Sequence, residues 1–83
     1  MEITKEACNL ILTLMINENM DTDKWSFLVN LDHAKQQTYI SFTKEPYNIR
    51  NIHGLNVVAS EHMNGVTIDV GMNQGVKGLI FRN

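Results

Sequence analysis

Apolar residues recur every three or four positions over the first part of the chain, which is the spacing of one helical face. The residues in this stripe are Ala7, Leu10, Ile11, Leu14 and Met15. Thr4 can cap the first turn through its hydroxyl group. The pattern predicts a helix from Thr4 to about Glu18, ended by a polar turn at 19–23.

From Trp25 onward, apolar and polar residues alternate, which is the period of a half-buried strand. Trp25, Phe27, Val29 and Leu31 share one predicted face. The predicted strands are 25–31, 37–43, 55–59, 66–70 and 79–81. Segment 32–36 would join the first two as a hairpin. Segment 44–52, with the only proline, is a predicted loop, and 60–63 a short helical turn. The aromatic residues Trp25, Phe27, Tyr39 and Phe42 are expected in the core or in cross-strand pairs.

One domain spanning residues 1–83 is expected from this length. The order of elements predicts an α+β fold, with one N-terminal helix packed on a mixed, mostly antiparallel sheet. Apolar residues make up 43% and charged residues 19% of the chain, an ordinary globular mixture. The net charge is −2 and the basic residues are scattered, which argues against a general nucleic-acid binder.

A single cysteine, Cys8, excludes an intramolecular disulfide and a metal site made of several cysteines of one chain. The opening residues 1–6 lack the basic region of a signal peptide. The longest apolar run, 10–12, is too short to span a bilayer. The sequence therefore predicts a soluble, cytoplasmic protein with no membrane partner.

Candidate metal sites in the sequence are weak. His33, His53 and His62 are far apart and lack the close spacing of zinc ligands, so surface histidines are favoured over a shared site assembled by folding. Asp21-Thr22-Asp23 resembles the start of a calcium loop, but Trp25 and Ser26 occupy positions where further ligands and glycine would be needed. A turn with two solvated carboxylates is expected there.

Catalytic candidates are equally weak. Cys8 lies near a helix N-terminus but has no histidine close in sequence, so a buried structural thiol is favoured over a nucleophile. Gly71, Gly75 and Gly78 are expected between strands, where they would allow tight turns rather than bind phosphate. Because no nucleophile–base pair and no pair of carboxylates stands out, the chain is not expected to be an enzyme.

Three stretches together resemble the A-type iron–sulfur carriers, also called HesB-like proteins. They are ITKEACNLILTLM (3–15), HGLNVVASEHMNGVTID (53–69) and GLIFRN (78–83). The first looks like the family's opening, the second like its Gly-introduced strand, turn and Ile-Asp, and the third like its Gly-Phe-x-Phe-x-Asn ending. The resemblance covers most of the chain and implies a HesB-like β-sandwich type of fold.

The family's chemistry rests on three cysteines that this sequence does not match. One lies in a Gly-Cys-Ser-Gly segment, where this chain has Asp32-His33-Ala34-Lys35-Gln36. Two form a Cys-Gly-Cys tail, and the sequence ends at Asn83, about where that tail would begin. Cys8 matches none of the three. The resemblance thus implies a degenerate member with no ligand residues and no cofactor, expected to be free of iron as purified.

A binding or adaptor protein that acts through an unknown protein partner is the leading functional hypothesis. Leu12 and Ile16 widen the apolar stripe of the helix, which favours a homodimer, as is common in the family. The alternative is an iron or cluster-binding protein that uses His33, Asp32 and Cys8 across a dimer. The sequence leaves the partner and the binding face open.

Overall fold

The computed structural model describes residues 1–32, 34–35, 37–44, 47–59 and 65–82. Within these ranges the chain forms one helix and two mixed β-sheets, an α+β fold. In chain order the elements are β1 (Glu2–Ile3), α1 (Lys5–Asn17), β2 (Ser26–Asp32), β3 (Gln37–Thr43), β4 (Arg50–Ile52), β5 (Leu55–Ala59), β6 (Thr67–Asn73) and β7 (Val76–Arg82).

The strands divide between a three-stranded sheet, in the order β1-β6-β7, and a four-stranded sheet, in the order β3-β2-β5-β4. Parallel pairing joins β1 to β6 and β2 to β5, while the remaining described pairs are antiparallel. The described pairs are therefore mixed and mostly antiparallel, as the sequence predicted, but the described strands form two sheets where the sequence analysis expected one. The two-residue β1 was not predicted, because two residues are too short to show a period.

The ends of α1 follow from local chemistry. The Thr4 hydroxyl accepts a hydrogen bond from the Ala7 N–H at 3.2 Å, which confirms the predicted cap. At the other end Asn19 adopts a left-handed conformation with φ 58°. The Met20 N–H then reaches the Met15 carbonyl at 2.8 Å, and the Asn19 N–H reaches the Ile16 carbonyl at 3.0 Å. These two bonds form a Schellman motif, which satisfies carbonyl groups that the helix leaves unpaired.

Two of the predicted strands, 37–43 and 55–59, have the predicted bounds. The strand predicted at 25–31 starts one residue later. The prediction of a loop over 44–52 is wrong at its end, where β4 forms a hairpin with β5. His53 and Gly54 make the two-residue turn of this hairpin, with φ 48° and 86°. The positive φ angles suit a type I′ turn, whose usual Asn-Gly signal is missing here.

The predicted strands 66–70 and 79–81 are longer in the structure, because Gly71 and Gly78 lie inside β6 and β7 rather than between them. These two glycines face each other across the ladder. Of the three glycines, Gly75 alone has a left-handed conformation, with φ 77°, in the turn that joins the strands. The turn predicted at 60–63 and the side chain of Leu31 lie outside the described residues.

The core forms where α1 packs on β5 and β6, so that the helix contacts both sheets. Its buried apolar residues are Ile3, Ala7, Cys8, Ile11, Met15, Phe27, Val29, Leu55, Val57 and Ile68. Phe27 and Phe42 pair across β2 and β3 with ring centroids 5.9 Å apart, as predicted. Tyr39, in contrast, is exposed and lies outside the core.

The buried stripe of α1 is rotated from the predicted face. Cys8 is fully buried, whereas Leu14 is 47% exposed and Leu10 is half-buried. Leu12 packs partly against the core, and Ile16 is 65% exposed. The homodimer suggested by the wide stripe stays a prediction, with Leu14 and Ile16 as the apolar side chains that α1 leaves to solvent.

Candidate functional site

Each of the three stretches on which the predicted HesB-like resemblance rests contributes residues to the three-stranded sheet. Ile3 of β1 lies opposite Ile68 of β6, and Ile68 lies opposite Phe81 of β7. The Thr4 N–H continues the parallel pairing by donating to the Ile68 carbonyl at 2.9 Å. Segments that are distant in sequence therefore share one block of structure.

Asp69 joins this sheet to the start of the helix. Its Oδ1 atom accepts hydrogen bonds from the Thr4 hydroxyl at 2.9 Å and from the Val70 N–H at 2.8 Å. Arg82 approaches the other oxygen at 3.8 Å. The Val70 and Thr4 hydrogen bonds, with a smaller contribution from the charge of Arg82, lower the pKa of the Asp69 carboxyl against the opposing effect of burial. This carboxylate orients the Thr4 cap and has a structural role.

Replacing Asp69 with asparagine is expected to lower the melting temperature at neutral pH and to remove part of the pH dependence of stability. A carboxyl whose pKa is lowered in the folded state stabilises the fold above its ordinary pKa of about 4. This contribution is lost as the pH falls through the lowered pKa, so the difference between wild type and Asp69→Asn should shrink in acid. Melting curves from about pH 7 to pH 2 measure it.

The matched control is Asp23→Asn, which changes an exposed aspartate on the turn after the helix. We expect its melting temperature to follow the wild type at every pH. A constant difference between wild type and Asp69→Asn across the whole pH range would contradict the role assigned to the Asp69 charge.

Cys8 lies in the core with its side chain fully buried. Its Sγ atom donates a weak hydrogen bond to the Ile52 carbonyl of β4 at 3.3 Å. Burial raises the pKa of the Cys8 thiol, which disfavours the thiolate that a nucleophile or metal ligand requires. The structural assignment of Cys8 as a core residue is therefore confirmed.

Asp32, the second candidate ligand, closes the turn after β2. Its Oδ1 atom accepts hydrogen bonds from the N–H groups of Ala34 at 3.0 Å and Lys35 at 3.3 Å. His33 and His62 lie outside the described residues. His53 is exposed in the turn between β4 and β5, at the mouth of a cavity of about 370 Å³ that Arg50 and Ile3 also line.

The strand register separates Asp32 from Cys8. Phe27 lies opposite Val57, and Ile52 pairs with Leu55. Asp32 is five residues beyond Phe27, and Leu55 is two residues before Val57. Seven residue steps therefore separate the levels of Asp32 and Ile52, or roughly 23 Å along the strands. Since the Cys8 thiol contacts Ile52, the two candidate ligands of one chain lie far apart.

Aspartates in the turn after α1 hold the backbone and remain exposed. Asp21 Oδ1 accepts a hydrogen bond from the Asp23 N–H at 2.9 Å. The carbonyl of Asp21 accepts from the N–H groups of Lys24 and Trp25. This confirms the predicted turn. Across the described ranges, no group of three or more His, Cys, Asp or Glu residues is placed to hold a metal ion.

A candidate binding surface, separate from the residues considered as metal ligands, lies along β7, an edge strand of the three-stranded sheet. We define the β7 edge surface as Val76, Lys77, Gly78, Ile80 and Arg82 of β7 together with Met72 at the adjoining end of β6. Met72 is 67% and Val76 is 68% exposed, high values for apolar side chains. A cavity of about 300 Å³ opens beside them and is also lined by Gly71, Gly78, Leu79 and Ile80.

The two glycines that line this cavity, Gly71 and Gly78, differ in their surroundings. A Cβ atom added to Gly71 would lie 2.9 Å from Cγ2 of Ile80, so the Ile80 side chain packs directly over this backbone. A Cβ atom added to Gly78 would meet nothing within 4 Å. The position of Gly78 is therefore an open hollow on the outer face of an edge strand.

Sequence reasoning missed the β7 edge surface because it placed Gly71 and Gly78 in a loop. The sequence signal for the longer strand is weak, because apolar and polar residues do not alternate over 76–80, where Leu79 and Ile80 are both apolar. Only pairing with β6 distinguishes such a strand from a glycine-rich loop.

In comparisons with known proteins, no family model matches the chain, and no curated protein matches it either. Over the described ranges, no helix has the length and apolar character needed to cross a membrane.

Proposed function

We propose that this chain is a non-catalytic protein-interaction module with a degenerate HesB-like fold. Its partner would be another protein, and its binding surface would be the β7 edge surface. The observation that carries the proposal is that this surface combines an open edge strand with exposed apolar side chains, which is a common basis of peptide and protein recognition.

The HesB-like part of the proposal is supported by the way the resembling stretches pack. Ile3-Thr4, Ile68-Asp69 and Phe81 come from separate motifs, yet they lie in register across β1, β6 and β7. The hydrogen bond between Thr4 and Asp69 links the first motif to the second. A physical connection between these residues gives a reason for them to occur together in a sequence.

The surroundings of the candidate ligand residues Cys8 and Asp32 support the proposal that the chain neither catalyses a reaction nor binds a cluster. Clusters are held mainly by thiolates, and the Cys8 thiol is buried with a raised pKa. The segment that the resemblance places at a family ligand, 32–36, contains no cysteine. Asp32 of that segment already accepts two backbone hydrogen bonds.

A capture experiment from a lysate of the source cells tests the proposal. The tagged wild-type chain is compared with the double variant Met72→Glu/Val76→Glu, and co-purified proteins are quantified by mass spectrometry. Two charges on the apolar part of the surface should reduce recovery of a specific partner by about tenfold or more, since buried apolar side chains dominate binding energy at interfaces.

The matched control is Leu14→Glu/Ile16→Glu, which places the same charges on exposed apolar residues of α1. We expect this variant to retain the partner. Equal recovery with the wild type and the β7 variant, or loss with the helix variant alone, would refute the proposed surface. Iron and sulfide bound stoichiometrically after anaerobic purification would instead favour the cluster-binding alternative.

A further inference from the structure

We propose that the β7 edge binds an extended, acidic segment of its partner, which adds to the three-stranded sheet as a fourth strand next to β7. This inference rests on the proposed function and specifies the partner's chemistry. Three features of β7 support it: its outer backbone edge, Gly78 and the charges of the strand.

The first feature is the backbone of β7, which is paired with a described strand on one side only. Strand β7 pairs with β6 on one side over all seven residues from Val76 to Arg82, and it is the last strand in its sheet. No described strand pairs with the N–H and C=O groups that alternate toward the other side, so they are able to pair with an added strand. Main-chain hydrogen bonds of this kind supply affinity without requiring a particular sequence.

The second feature that supports an added strand is Gly78, a glycine in the interior of β7. Glycine in the interior of a strand costs about 0.5–1 kcal/mol relative to a residue with a side chain. The structure offers no internal reason for it, because its φ is not left-handed and a Cβ atom would meet open space. Strand glycines often mark a place where another backbone or a ligand approaches closely. At Gly78, the hollow would accept a side chain of the added strand.

The cavity beside Gly78 supports this step. This cavity of about 300 Å³ is bordered by the apolar side chains of Val76, Ile80 and Met72 and by the polar Asn73. An apolar side chain entering from the added strand would bury these groups. The residues on either side of it along the added strand would then point to the opposite face.

The third feature is the charge of β7, which favours one kind of added strand over another. Strand β7 has Lys77 and Arg82 near its ends and no acidic residue. Arg82 already lies 3.8 Å from Asp69 of β6, whereas Lys77 has no ion pair within the described residues. A second copy of the chain pairing through the same edge would bring two lysines and two arginines into one strand pair, and like charges across strands are destabilising. A carboxylate on the added strand, next to the apolar residue at Gly78, would instead point to the face of Lys77. An acidic partner therefore fits the edge better than a second copy.

The other edge strands are less suited to such a partner. Strand β3 carries no charged residue between Gln37 and Thr43, and β4 is only three residues long. Among the described strands, β7 combines length, an unfilled glycine position and a lysine, Lys77, with no described ion pair.

A peptide selection tests the inference. A displayed library of random ten-residue peptides is panned against the immobilised full chain at moderate salt. Enriched peptides should alternate acidic with apolar residues. A soluble copy of the most enriched peptide should bind the wild type and lose about tenfold or more in affinity for Gly78→Val. Its binding should weaken at high salt, because exposed charges are screened.

The variants separate folding from binding. Gly78→Val should melt at or above the wild-type temperature, because valine favours a strand and the space is open. Ser41→Val makes a similar change on exposed β3 and should leave binding unchanged. Lys77→Glu should shift the selected peptides away from acidic residues. If Gly78→Val does not fold, Gly78→Ala and amide hydrogen exchange of residues 76–82 with the bound peptide replace it.

The results of these experiments separate the acidic-strand inference from the proposed function. Neutral or basic enriched peptides, no enriched peptide, unchanged binding to Gly78→Val, or no added protection at 76–82 would each overturn the inference. The proposed function would still stand if the lysate partner depended on Met72 and Val76. If the lysate partner were indifferent to those two residues, the proposed function itself would fail.

Discussion

Replacing Ile68 with alanine is expected to lower the free energy of unfolding by about 3 kcal/mol. The Ile68 side chain is fully buried, and its strand lies between β1 and β7 in the three-stranded sheet. Truncation removes buried apolar surface and leaves a cavity that the flanking strands can only partly fill. A chain of this size has a total stability of about 5–10 kcal/mol, so the variant should be marginal.

Urea unfolding followed by circular dichroism measures the effect, with Ile16→Ala as the matched control. Ile16 is 65% exposed on α1, so the same truncation there should cost less than about 0.5 kcal/mol. Similar losses for both variants would show that Ile68 does not have the central position described here.

The second large effect concerns the reactivity of Cys8. We expect the native chain to react with a disulfide reagent at least about a hundredfold more slowly than the chain unfolded in guanidinium chloride, because the thiol is exposed only when the structure opens. Two features contribute to this protection. The side chain is fully buried, and its pKa is raised by burial, which reduces the thiolate fraction.

A control for this measurement moves the thiol by one residue. In the double variant Cys8→Ala/Asn9→Cys the new cysteine occupies an exposed position of α1, and it should react at a rate close to that of the unfolded chain. Rapid labelling of native wild-type Cys8 would contradict its place in the core. It would also make Cys8 available as a ligand and revive the cluster-binding alternative.

Together, Gly71 and Gly78 show how one residue type can have two roles in one hairpin. At Gly71 the absence of a side chain lets Ile80 pack over the backbone, so the glycine is explained by the fold. At Gly78 nothing in the described chain fills the corresponding space. The fold therefore explains the glycine at position 71 but not the one at position 78.

Hydrophobic periodicity by itself determined much of the fold. The 3–4 spacing predicted the helix to within one residue at each end, and Thr4 was correctly assigned as its cap. Alternation predicted Gln37–Thr43 and Leu55–Ala59 with the observed bounds. These elements are local, because each depends on side chains that are close in sequence. Cys8 was also correctly interpreted as a core residue.

Tertiary structure decided which strands pair and where glycine continues a strand. Gly71 and Gly78 are seven residues apart in sequence, and only their opposition across β6 and β7 makes them part of a ladder. The short strands β1 and β4 likewise exist because β6 and β5 supply their hydrogen-bond partners. The β7 edge surface could not be predicted from sequence for the same reason: an edge is defined by the neighbour a strand has and the one it lacks.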